Sequence, residues 1–109
     1  MTRWVRTGWR DDGCDIVMSW KAGDDGWVTR SVELHGDQRV PMVAASLAEC
    51  LEARDTDRIQ GIQDYEATYG VLVEKPIDDW DFPHEDITAE EFDGIWRAAR
   101  AELDQRRGG

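Results

Sequence analysis

Between residues 3 and 44 apolar and polar side chains alternate in four short runs, and turns containing Asp and Gly separate them. A period of two with short connections constrains this half of the chain to an antiparallel meander. The runs cover 3–9, 14–21, 27–35 and 38–44. In the first, Trp4 and Arg6 face one way, and Val5, Thr7 and Trp9 the other. In the second, Cys14, Ile16, Met18 and Trp20 share a face. In the third, strict alternation puts Val28, Arg30, Val32 and Leu34 on one face, with Trp27, Thr29, Ser31, Glu33 and His35 opposite. Pro41 has no N–H to donate to a ladder, which predicts an edge strand or a bulge for the fourth run.

Beyond residue 45 the signals become helical. Ser46-Leu47-Ala48-Glu49 has the form of a capping box and predicts a short helix over 46–54, with Leu47 and Leu51 inward. Residues 55–61 are polar and turn-like, and Ile62, Tyr65 and Tyr69 then stand at helical spacing before Gly70, a candidate C-cap. A short strand is predicted near 71–74 and an extended loop over 77–87. Thr88-Ala89-Glu90-Glu91 is a second capping box, and Phe92, Ile95, Trp96, Ala99 and Leu103 form one apolar stripe over 88–106. The predicted fold class is α+β: a four-stranded antiparallel meander (3–44) packed by the C-terminal amphipathic helix, in a single domain over 1–109. A chain of 109 residues, 40% of them hydrophobic, is long enough to form such a core without disulfide or metal staples. Cys14 and Cys50 accordingly read as two reduced thiols. No stretch has the length of a signal peptide or a membrane span, so the expected location is the cytoplasm.

Charge divides the chain unevenly. Its formal net charge is −11, yet residues 1–44 hold six Lys or Arg against seven Asp or Glu. From Asp64 to Asp93 there are eleven acids and one base, Lys75. Phosphate contacts need a basic face, so direct nucleic-acid binding is not expected.

The residues Gly26-Trp27, Thr29-Arg30, Val32-Glu33-Leu34, Gly36-Asp37 and Arg39, with Glu74, Pro76, Ile77 and the helix start Ile87-Thr88, Glu90-Glu91-Phe92 and Trp96, resemble a family of small bacterial domains. The resemblance covers most of residues 4–97, while 45–70 and the fourth strand depart from the pattern. It implies an α+β fold and a free-standing bacterial cytoplasmic domain, and brings no catalytic residue with it.

Two groups of residues are candidates for function. Asp78, Asp79, Trp80, Asp81, Phe82, Glu85 and Asp86 interleave aromatics with carboxylates, an arrangement suited to a basic protein partner such as a nuclease: the acids steer its approach and the rings hold it. The same carboxylates with His84 lack the spacing of a calcium loop or a zinc site, so no metal or other cofactor is expected. Acids at Glu90, Glu91 and Asp93 are explained by the first turn of a helix. The alternative group is Trp27, Arg30, Glu33 and His35 of the third strand: alternation puts Trp27, Glu33 and His35 on one face, where they offer a Trp-lined pocket for a small ligand or acid–base chemistry. No nucleophile elbow, phosphate loop or dinucleotide fingerprint is present, so no catalytic residue is assigned.

Overall fold

The computed structural model describes residues 2–11, 13–72 and 84–108. The four alternating runs are strands β1 (Arg3–Asp11), β2 (Cys14–Ala22), β3 (Val28–His35) and β4 (Val40–Ser46). They pair antiparallel in sequence order, as the period-two pattern requires. A two-residue strand, β5 (Glu85–Asp86), falls in the stretch expected to be loop and pairs with Val5 and Arg6 of β1. The sheet order is β4-β3-β2-β1-β5. Between β4 and β5 comes helix α1 (Leu47–Tyr69), and the last element is helix α2 (Ala89–Gly108).

Two bulges break the strict alternation. Lys21 pairs with Arg30 but Ala22 pairs with Val28, which leaves Thr29 as an extra residue in β3. A bulge reverses the facing of everything beyond it. Val28 therefore joins Val5, Ile16, Met18, Trp20 and Ala22 on one face of the sheet, where Leu72 packs against them. Val32 lies on the other face with Ala44 and the helix residues Phe92, Trp96, Ala99 and Leu103. The expectation that Val28 and Val32 share a face is thereby corrected. The second bulge lies at Met42, between the pairs Glu33–Val43 and Leu34–Pro41. Pro41 is thus both on an edge strand and beside a bulge, the two settings its missing N–H allows.

The stripe of α2 fulfils its sequence pattern. Phe92, Trp96, Ala99 and Leu103 are all buried, and Trp4, Leu34, Ile87 and Ile95 fill in around them. The Glu91 amide donates to Thr88 Oγ1 at 3.1 Å, the N-cap bond expected of a capping box.

Helix α1 departs further from expectation. Instead of a short helix over 46–54 and a seven-residue turn, helix resumes after a break of two residues. These are Asp57 (φ −129°, ψ 15°) and Arg58 (φ 53°, ψ −128°). The halves on either side are in contact: a Cβ on Gly61 would lie 2.1 Å from the Ala53 carbonyl oxygen. Leu47 and Leu51, expected inward, are 36% and 38% exposed. Val71 and Leu72 form no strand, and the rest of the strand expected near 71–74 lies outside the described residues.

Gly70 closes α1 as its position in the sequence predicts, its N–H donating to the Glu66 carbonyl at 2.8 Å. At φ 85° and ψ −179° its backbone occupies a region essentially reserved for glycine. A Cβ there would also stand 2.6 Å from Val43 Cγ2. Gly70→Ala is expected to lower the unfolding free energy by about 2–3 kcal/mol, from backbone strain and overpacking together. Gly94→Ala is its control, because a Cβ in the middle of α2 meets nothing. That change should stabilise by about 0.5–1 kcal/mol. Urea unfolding of the two variants beside the parent protein measures both.

Candidate functional site

Of the acidic candidate group, Asp78, Asp79, Trp80, Asp81 and Phe82 lie outside the described residues. Glu85 and Asp86 form β5, where sheet register sets each beside a β1 arginine. Arg6 Nε donates to Glu85 Oε1 at 2.8 Å, and Arg3 donates to Asp86 Oδ1 at 3.2 Å. Both pairs are exposed, and pairs of this kind contribute about 0–1 kcal/mol each. Their clearer role is to register β5 on β1. Arg6, Gly8, Val17, His84 and Glu85 border a shallow cavity of about 430 Å³ there.

The alternative group does not converge. Glu33 and His35 pair with Met18 and Ile16, on the face opposite α2, and His35 Nε2 lies 2.5 Å from Glu33 Oε1. Arg30 points the other way, with its guanidinium 4.8 Å from the centroid of the Trp96 ring in α2. Trp27 is 45% exposed just before β3. Arg30 lies opposite Glu33 and His35 by alternation alone. The bulge at Thr29 accounts for Trp27: alternation counted through it puts Trp27 beside them, whereas the sheet turns Val28 to that face.

What the fold does assemble is a cluster that sequence patterning missed. Arg100, one turn beyond Trp96 on α2, inserts its guanidinium between α1 and β4. Nε donates to the Ala44 carbonyl at 2.7 Å, Nη1 to Glu49 Oε2 at 3.2 Å, and Nη2 to Glu49 Oε1 and to the Tyr65 hydroxyl. The guanidinium plane also lies over two rings, 3.7 Å from the Tyr69 centroid and 4.6 Å from that of Trp96. Tyr65 in turn donates to Glu49 Oε1 at 2.7 Å and accepts the Ser46 amide proton at 2.7 Å. The expected capping box at Ser46 and Glu49 is not made, because Ser46 gives no side-chain cap and Glu49 turns to Arg100. Tyr65 takes the amide that Glu49 would have accepted.

Each ionisable group of the cluster is held in its usual charge state. Burial pushes the Glu49 carboxyl upward, but hydrogen bonds from Arg100 and Tyr65 and the charges of Arg100 and Arg30 outweigh it, so the carboxyl ionises below its ordinary value. Burial, with Glu49 alongside, drives the Tyr65 hydroxyl well above its ordinary value. Burial opposes the charge on Arg100, yet Glu49 and the two tyrosines hold it more firmly than usual. A general acid or base works best with a pKa near the operating pH, and all three groups are moved away from neutrality. The cluster is a clasp.

The depressed Glu49 has a consequence for acid stability. Its folded-state pKa lies below the unfolded value, so its contribution is complete above the ordinary carboxylate range and is lost as pH falls through the folded value. Glu49→Gln should cost about 1–2 kcal/mol at neutral pH, the worth of a charge-assisted hydrogen bond. It should also flatten the acid limb of a stability-versus-pH curve below the ordinary carboxyl value of 4.5. Chemical denaturation at a series of pH values reads both effects.

Beside the clasp, the inner side of kinked α1 forms a groove of about 340 Å³ lined by Glu49, Glu52, Asp57, Asp64, Tyr65 and Tyr69, among others. Among the described residues no group of three or more His, Cys, Asp or Glu is gathered to hold a metal ion, and no helix is long and apolar enough to cross a membrane. Comparison with protein-family models, curated proteins and solved structures finds no match.

Proposed function

We propose that this is an acidic, non-catalytic interaction protein of the bacterial cytoplasm. It binds a basic protein partner and neutralises it, in the manner of an immunity protein or a nucleic-acid mimic. The observation that carries this reading is the charge distribution: nearly all of a net charge of −11 falls between Asp64 and Asp93. A field so lopsided accelerates encounter with a partner of opposite sign and orients it. The groove of α1 supports the reading, since it sets Glu52, Asp57 and Asp64 around two tyrosine rings. So does the clasp, whose ionisable groups are all held away from the protonation states that acid–base catalysis uses. A nuclease, or another enzyme with a basic nucleic-acid groove, is the class of partner that fits.

The test is to capture the partner at low ionic strength, identify it, and measure its affinity across a salt series. Raising salt from about 0.05 M to about 0.5 M should weaken binding at least tenfold, as screening shortens the range of the field. Changing Asp78, Asp79 and Asp81 together to Asn should weaken it by a similar factor at low salt and by much less at high salt. A partner whose affinity ignores both salt and these substitutions refutes the proposal.

A further inference from the structure

In a protein so rich in acids, Lys21 and Arg30 form an exception. They are directly paired across β2 and β3 beside the bulge, and both side chains are half-buried. Like charges placed opposite each other on one face destabilise a sheet unless something offsets them. Among the described residues neither forms an ion pair. Arg30 rests on the Trp96 ring, and the nearby Glu49 is already engaged by Arg100 and Tyr65. Glu90 and Asp93 border the neighbouring hollow with Lys21 and Arg30; Glu90 makes no ion pair with either, and Asp93 is bound by Arg97.

The two cations form one wall of a cavity of about 370 Å³. Leu47, Ala48 and Leu51 of α1 also line it, and none of its lining residues is acidic. Leu47 and Leu51 are the apolar residues that the sequence expects inside and the structure leaves exposed. The start of α1 also faces the cavity, and Ser46 gives it no side-chain cap. A lining of two cations and two leucines with no acid suits an amphipathic anion.

We propose that this cavity is a binding site for a small organic carboxylate. Its anionic head lies between Lys21 and Arg30, and its short apolar tail lies against Leu47 and Leu51. The site is separate from the acidic surface invoked above and stands or falls independently of it. The carboxylate gives the cross-strand cations a direct ion pair, which no described acid makes with them. The leucines select for the tail, which inorganic phosphate lacks.

Amide chemical shifts of the whole protein, followed by NMR during titration with hexanoate, hexylamine and inorganic phosphate, test this. Hexanoate should shift Thr29, Arg30, Leu47 and Ala48 saturably, phosphate should shift them at least tenfold more weakly, and hexylamine should leave them in place. Lys21→Gln should weaken hexanoate binding at least tenfold, and Leu51→Asp, which puts a carboxylate among the tail contacts, should abolish it. The unperturbed remainder of each variant spectrum reports that the fold is intact. The proposal is overturned if hexanoate causes no saturable shift, if its shifts scatter elsewhere, or if Lys21→Gln binds it as tightly as the parent. Phosphate binding as tightly as hexanoate, or hexylamine producing the same shifts, also overturns it.

Discussion

Arg100→Ala is expected to lower the unfolding free energy by about 2–3 kcal/mol and the melting temperature by roughly 10 °C or more. The Arg100 side chain is only 15% exposed and Glu49 is 43% exposed, so the pair lies between a surface salt bridge and a buried one. The expected loss sits accordingly at or below the lower end of the range for a broken buried pair. It combines several contacts. The Ala44 carbonyl loses its donor, Glu49 keeps a partly buried charge with the Tyr65 hydroxyl and the charge of Arg30 to offset it, and the Tyr69 and Trp96 rings lose the Arg100 guanidinium. Arg100→Lys should recover less than half of the loss, because an ammonium cannot serve the carbonyl, the carboxylate and the hydroxyl in one plane. A double-mutant cycle between Arg100→Ala and Glu49→Ala, read by urea unfolding, should return a coupling of at least about 1 kcal/mol. Additive losses would mean that the two residues act separately.

The largest single-residue effect is expected at the centre of the α2 interface. Phe92 is 2% exposed and stacks on Trp96 with ring centroids 6.4 Å apart. Truncating a buried phenylalanine to alanine costs about 3–5 kcal/mol, the removed contacts plus the cavity left behind. In a domain of this size that is a large part of the total stability, so Phe92→Ala should be partly unfolded at 37 °C. Leu51→Ala, on an exposed turn of α1, should change stability by no more than about 0.5 kcal/mol. Circular dichroism melts of the two variants separate a core position from a surface one.

These effects also mark where the sequence can be read directly. The stripe of α2 is legible because Phe92, Trp96, Ala99 and Leu103 recur at the helical period and are buried on that period. The meander is legible because turn residues punctuate alternating runs. The bulge at Thr29 leaves no mark in composition, yet it turns Val28 and Val32 to opposite faces and brings Val28, in place of Trp27, to the face of Glu33 and His35. The misreading of Ser46 and Glu49 has a different origin. A capping box is a local motif, and here two distant partners, Tyr65 and Arg100, outcompete it. One signal for the clasp does exist in the sequence: Arg100 follows Trp96 by four positions and directly follows Ala99, at the margin of the apolar stripe. A charge in that place needs partners from whatever packs beside the helix. The sequence alone does not say which partners those are.

The outer margin of β4 bears on how copies of this protein behave in a crowded solution. A sheet that ends in a long, regular strand offers its open backbone groups to any other extended chain, and fibrous aggregates grow that way. In β4 that template is interrupted. Pro41 withholds a donor, the bulge at Met42 breaks the spacing, and Arg106 reaches from α2 to occupy the Pro41 carbonyl at 2.8 Å. One proline, one extra residue and one arginine from the far end of the chain together deny a neighbouring molecule the regular ladder it would need to polymerise along that side.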